Sequence, residues 1–83
     1  MSNKIGYHEY SIRKGVLGEI SKIQEELDEL KDAETQQSKI LIYVELSDVY
    51  GALEEYALKH DISMDDVKLF SDITKRAFKN GFR

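Results

Sequence analysis

Two pairs of carboxylates, each pair three residues apart, carry the strongest chemical signal in this 83-residue chain: Glu26 with Glu29, and Glu45 with Asp48. Residues three apart on a helix are neighbours on one face, so each pair is a potential two-pronged ligand. The second pair is the more telling. At about 100° per residue, Leu41, Val49, Ala52 and Tyr56 fall within roughly 40° of Glu45, and Asp48 lies roughly 60° away. Both carboxylates therefore project from a face whose other residues belong in a core. Burying an isolated ionised carboxylate costs many kcal/mol unless it is paired, protonated or metal-bound. From Ile40 to Leu58 there is no lysine or arginine, so compensation must come from another segment or from a cation.

Antiparallel packing of the two segments could bring Glu26, Glu29, Glu45 and Asp48 together. Four carboxylates in one place repel unless a divalent ion neutralises them. An all-oxygen ligand set selects magnesium or manganese, with calcium possible, over zinc or copper. The plainer reading of Glu26 and Glu29 alone is a solvated helix face; Glu45 and Asp48 inside an apolar stripe shift the balance toward metal. Other chemistries are excluded by composition. No cysteine means no disulfide, no thiolate nucleophile and no cysteine zinc site, and His8 and His60 are isolated. No glycine-rich phosphate cradle is present, which argues against kinase or motor chemistry.

The elements that must hold these residues are helices. The chain has no proline and few glycines, and it is 41% hydrophobic and 34% charged. A first helix is expected over 14–33, with Leu17, Ile20, Ile23, Leu27 and Leu30 as its buried stripe. Gly15 and Gly18 weaken its first turn or let another backbone approach. A second helix is expected over 38–60, and a third over 63–80, opened by the Ser63 cap with Asp65 and Asp66 in the first turn and closed near Asn80. Residues 1–13 read as an arm or irregular lead-in. The expectation is a single all-α domain of three helices over 1–83, assembling into an oligomeric, four-helix-bundle-like arrangement.

Charge is uneven. Between Glu19 and Glu34 there are seven carboxylates and two lysines, whereas Lys75, Arg76, Lys79 and Arg83 close the chain without an acid. The net charge of −4 does not suit a binder of nucleic-acid polymers. An acidic middle with a basic tail better suits a cation with an anion beside it. No apolar run is long enough to span a membrane, no signal-peptide core is evident, and the expected setting is cytoplasmic.

The run Glu25-Glu26-Leu27-Asp28-Glu29 followed by Glu45-Leu46-Ser47-Asp48 resembles the paired EExxE and ExxD motifs of MazG-type all-α nucleotide pyrophosphohydrolases. The likeness extends through Leu17–Ile23, Val49–Glu54 and the basic-aromatic tail Thr74–Arg83, which is similar to that of small stand-alone, including phage-encoded, members. It implies hydrolysis of a nucleoside triphosphate to monophosphate and pyrophosphate, by water attack at the α-phosphorus in the presence of magnesium or manganese. It further implies Glu26, Glu29, Glu45 and Asp48 as metal ligands, and pairing of subunits into dimers or dimers of dimers. Glu25 matches the leading acid, which could accept the proton of the water, bind a further ion or face solvent. Lys22, Lys75, Arg76, Lys79 and Arg83 are candidate phosphate partners; for Lys22 the competing reading is a surface ion pair, and for the tail a helix end that favours positive charge.

Three other readings are open on the sequence. A phosphoribosyl-ATP pyrophosphohydrolase has similar acidic motifs and would cleave the same kind of bond. A non-catalytic helical interaction module would tolerate loss of Glu45 or Asp48. A metal-stabilised structural dimer would bind magnesium without turnover. Association is also expected from the second helix itself. Leu41, Ile42, Val44, Leu46, Val49, Leu53, Ala57 and Leu58 make it apolar on almost every side, and such a helix must be covered on every side.

Overall fold

The computed structural model describes residues 10–81 and contains three helices: α1 (Ile20–Thr35), α2 (Lys39–Lys59) and α3 (Met64–Lys79). Among the described residues there is no strand, and no helix is long and apolar enough to cross a membrane. The fold is all-α. Most of the expected arm over 1–13, and the candidate phosphate partner Arg83, lie outside the described residues.

The first helix begins at Ile20, not at Lys14 as periodicity suggested, and runs on to Thr35. Gly18 explains the late start. Its φ of +89° lies in the left-handed region open to glycine and costly to other residues, and it breaks the helix before it forms. The lead-in then folds back on the first turn. The Glu19 N–H donates to the Val16 carbonyl at 2.9 Å, and the Val16 N–H donates to Ser21 Oγ at 3.0 Å. Gly15 sits so close to the Ser21 carbonyl that any Cβ there would overlap it.

The other two helices start at side-chain caps. Ser38 Oγ accepts from the Leu41 N–H at 3.2 Å, and Ser63 Oγ accepts from the Asp66 N–H at 3.3 Å. Each satisfies a backbone donor that the first helical turn leaves without a partner. In α3, Asp65 and Asp66 occupy the first turn and Arg76 and Lys79 the last, an order that complements the helix dipole.

A three-residue connection, 36–38, turns α1 into α2, and so short a link makes the two an antiparallel hairpin. The far ends meet accordingly: Lys59, the last residue of α2, places Nζ 3.5 Å from Glu19 Oε2 at the start of α1. These two helices are the only pair in extensive contact among the described residues. Their shared interior is unusual. The buried apolar residues are Ala33, Ala52 and Ala57, while Glu25, Glu26, Asp32 and Glu45 are buried beside them.

The expected stripe of α1 is therefore displaced. Leu17, Ile20 and Leu27 are exposed, and Ile23 and Leu30 are half-buried. Glu26 and Glu29 face α2 instead, while buried Glu25 meets the Gly15 backbone of the lead-in and buried Asp32 lies beside Tyr10 and Ile12. Periodicity fixes the angles between positions on a helix, but the neighbour decides which sector it meets. α3 covers no flank of α2 extensively and buries none of its own residues. Val67, Phe70, Ile73 and Phe78 are exposed on it, as are Ile40, Tyr43, Leu46, Tyr50, Leu53 and Leu58 on α2.

Candidate metal centre

The α1–α2 hairpin brings four carboxylates to one point. Glu26, Glu29, Glu45 and Asp48 each offer an oxygen, and these oxygens lie within 4.8 Å of one another. The geometry follows from the three-residue spacing within each helix, which aims both members of a pair at the same side. Antiparallel packing then sets one pair against the other. Burial is graded across the group: Glu45 is 0% exposed, Glu26 is 6% exposed, Glu29 is half-buried and Asp48 is exposed. The centre thus has a closed end at Glu45 and an open end at Asp48.

Beside Asp48 the cluster opens into a cleft lined by Lys22, Glu26, Ser47, Asp48, Gly51 and Glu55, among others. Gly51, one turn beyond Asp48 on the same helix, borders open space at this mouth, with nothing within 4 Å of where a Cβ would stand. Neither Ser47 nor Gly51 carried a chemical signal in the sequence, although their place one turn or less from Asp48 on α2 puts them beside it.

The electrostatics register the crowding. The Glu29 carboxyl is pushed up from 4.5 to about 8, by burial first, then by the charge of Glu26, by its hydrogen bond with Glu45 and the charge of Glu45, and by a hydrogen bond with Glu25. The crowding thus favours a proton within the metal-free cluster at neutral pH. Glu26 Oε2 is 3.1 Å from Lys22 Nζ, whereas the buried Glu26 Oε1 has no hydrogen-bond partner. An unpartnered carboxylate oxygen inside a cluster of carboxylates is what a cation would satisfy. The residues present fit a hard divalent ion such as magnesium or manganese, which takes oxygen ligands.

Glu25 does not face solvent; it is buried at 3% exposure. Its Oε1 accepts from the Gly15 N–H at 2.8 Å and from Lys22 Nζ at 3.1 Å, and Lys14 Nζ lies 3.9 Å from Oε2. Burial alone would raise this carboxyl, but the Gly15 N–H and the hydrogen bond and charge of Lys22 outweigh it and hold it below its ordinary value. Lys22 is ion-paired, but with buried partners. It bridges Glu25 and Glu26 at 3.1 Å each, and although burial works against its charge, these two carboxylates raise its pKa above the ordinary value.

The basic residues of α3 are elsewhere. Lys75 lines a separate cleft between α2 and α3 with Tyr50, Leu53 and Met64. Arg76 and Lys79 occupy the last turn of a helix that does not pack extensively on the α1–α2 pair. Among the described residues, Lys22 is the predicted phosphate partner that the structure places at the carboxylates. One buried acid passed unnoticed in the sequence. Asp32, three residues beyond Glu29 on the same face, accepts from Gln36 Nε2 at 3.2 Å and lines a cavity with Tyr10, Ile12 and Lys31. Its spacing from Glu25 and Glu29 was the signal that could have found it. No family model, curated protein or solved structure matches this chain.

Proposed function

We propose that this chain is a metal-dependent nucleoside triphosphate pyrophosphohydrolase, converting a (d)NTP to (d)NMP and pyrophosphate by attack of water on the α-phosphorus, as its resemblance to MazG-type enzymes implies. The observation that most supports this reading is the convergence of Glu26, Glu29, Glu45 and Asp48 within 4.8 Å. That is more negative charge than the single ammonium of Lys22 offsets.

Glu26 and Glu29 from α1, with Glu45 and Asp48 from α2, would hold magnesium or manganese. When bound, such an ion supplies Lewis-acid polarisation of a phosphoryl oxygen and lowers the pKa of a water nucleophile. Glu45, fully buried, fixes the inner end of the centre, and exposed Asp48 marks the side from which a triphosphate enters. Glu25, or one of the ligating carboxylates, would accept the proton of the water when within hydrogen-bond reach of it. Glu25 also anchors Lys22 and the Gly15 backbone. The working unit in this reading is a dimer or dimer of dimers, supported by the exposed apolar faces of α2 and α3. In such an assembly Lys75, Arg76 and Lys79 join the site from a second copy.

The test is a panel of nucleoside triphosphates and phosphoribosyl-ATP incubated with magnesium and resolved by chromatography. Monophosphate and pyrophosphate are the expected products from at least one (d)NTP. Diphosphate with inorganic phosphate as primary products would reject the assigned bond, and turnover of phosphoribosyl-ATP alone would reassign the substrate.

A further inference from the structure

Lys22 occupies an unusual position: a lysine ammonium set on the rim of a carboxylate centre, divided between one member of that centre and one neighbour outside it. Nζ lies 3.1 Å from Glu26 Oε2 and 3.1 Å from Glu25 Oε1. Its side chain is 26% exposed, while those of its two partners are almost wholly buried. It also lines the cleft beside Asp48 and Ser47. The two partners differ in what else they hold. Glu25 has the Gly15 N–H as a further donor. Glu26 presents its other oxygen, Oε1, buried and unpartnered.

We infer that Lys22 is a tethered counter-cation that opposes the divalent ion in the empty centre and, once Glu26 is taken up by that ion, turns to the phosphate side of the bound substrate. The inference rests on the reading of the four carboxylates as a divalent-cation site. Glu26 cannot give its full charge to Lys22 and to an ion at once. Ion binding therefore weakens the Lys22–Glu26 pair, while Glu25, held in place by the Gly15 N–H, keeps the base of the lysine at the mouth of the cleft. Among the described residues the ammonium is the one cation lining that cleft, and the arriving group is a polyanion. Lysine suits this exchange because its ammonium is a compact point charge on a flexible stem, free to change partners without the fixed fork of arginine. Cation and anion then bind with positive coupling through a single side chain, and such coupling is reciprocal.

The inference gives two effects of opposite sign for the same substitution. Removing one unit charge about 6 Å from a doubly charged ion in a water-like dielectric changes ion affinity by about tenfold. Magnesium titrated calorimetrically into the full chain at pH 8.5 should bind Lys22→Met and Lys22→Gln about tenfold more tightly than wild type. Inorganic pyrophosphate titrated at saturating magnesium should bind the same variants about tenfold more weakly. A disturbed fold would weaken both, so the opposite signs separate exchange from damage, and Lys22→Gln keeps a hydrogen-bond donor for Glu25. Unchanged or weaker magnesium binding in both variants would overturn the inference while leaving the metal centre intact. Tighter magnesium with unchanged pyrophosphate would overturn the exchange. A wild-type chain that binds no magnesium at all would overturn the metal reading and this inference with it.

Discussion

The α1–α2 pair and α3 invert the usual arrangement of a small domain in opposite ways. In the hairpin the buried groups are charged: Glu25, Glu26, Asp32 and Glu45 are buried, and the apolar residues buried as fully are alanines. On α3 the apolar groups are outside: Phe70 is 67% exposed and no residue of the helix is buried. Each inversion is costly on its own. A buried carboxylate cluster pays desolvation and repulsion, and a small domain without large buried side chains forgoes the main favourable term in folding. The two costs have different remedies. A cation would meet the first and another apolar surface the second, so in the proposed reading a substitution in one region should not behave like a substitution in the other.

The largest effect should come from the closed end of the hairpin. Glu45→Gln should lower turnover by at least about a thousandfold, since it removes a ligand charge at the point of transition-state stabilisation. It should also raise the melting temperature of the metal-free protein, because it relieves repulsion in the cluster. Activity assays and thermal melts in chelator measure the two. Near-normal turnover would place the chemistry elsewhere.

Next in size is Phe70→Glu on α3. In a true monomer a substitution at so exposed a position changes stability by about 0.5 kcal/mol or less. If α3 is covered by a second copy, the change buries a charge in an apolar contact and should cost several kcal/mol of assembly free energy. Light scattering at micromolar concentration should then fall from at least twice the 9.6 kDa chain mass to the monomer. A wild-type chain that is already a stable monomer would remove the argument for a covered α3.

A smaller effect separates the regions by pH. The Glu29 carboxyl is raised from 4.5 to about 8, by burial first and then by the neighbouring carboxylates. The folded state therefore keeps a proton that the unfolded chain releases above 4.5, and stability falls as pH rises from about 4.5 to 8 before levelling off. Thermal melts in chelator should show this decline, and magnesium should counter it because the ion replaces the proton. A metal-free protein whose stability climbs across that window would contradict the assigned crowding.

The smallest change expected is that of Ser63→Ala. It removes the side-chain acceptor of the Asp66 N–H and should cost about 1 kcal/mol, as N-cap losses do. Because α3 packs so little against its own chain, the loss should appear as reduced helicity in α3 by circular dichroism and amide exchange, with the α1–α2 hairpin untouched.

Some of this molecule could be read from its residues. The cap at Ser63 marks the start of α3 because a cap needs only the local backbone. The carboxylates at Glu45 and Asp48 drew attention because a charged pair on an apolar face, in a helix stretch without a basic residue, conflicts with burial energetics wherever the helix packs. The late start of α1 was not legible, since Gly18 permits a left-handed turn without requiring one, and the choice was made by the lead-in folding onto Ser21. The rotation of α1 was not legible either. Its sequence offers an aliphatic stripe and an acidic face side by side, and hydrophobicity alone favours the first. Only the tertiary structure decided that the acidic face meets α2, because a helix's own periodicity fixes angles within it and contact with its neighbour fixes which of those angles points inward. The pairing of Lys22 with Glu25 and Glu26 is local, three and four residues along one helix, and was open to the sequence, but the burial of its two partners was not; nor was the separation of Lys75, Arg76 and Lys79 from the α1–α2 pair, which follows from how little α3 packs on it.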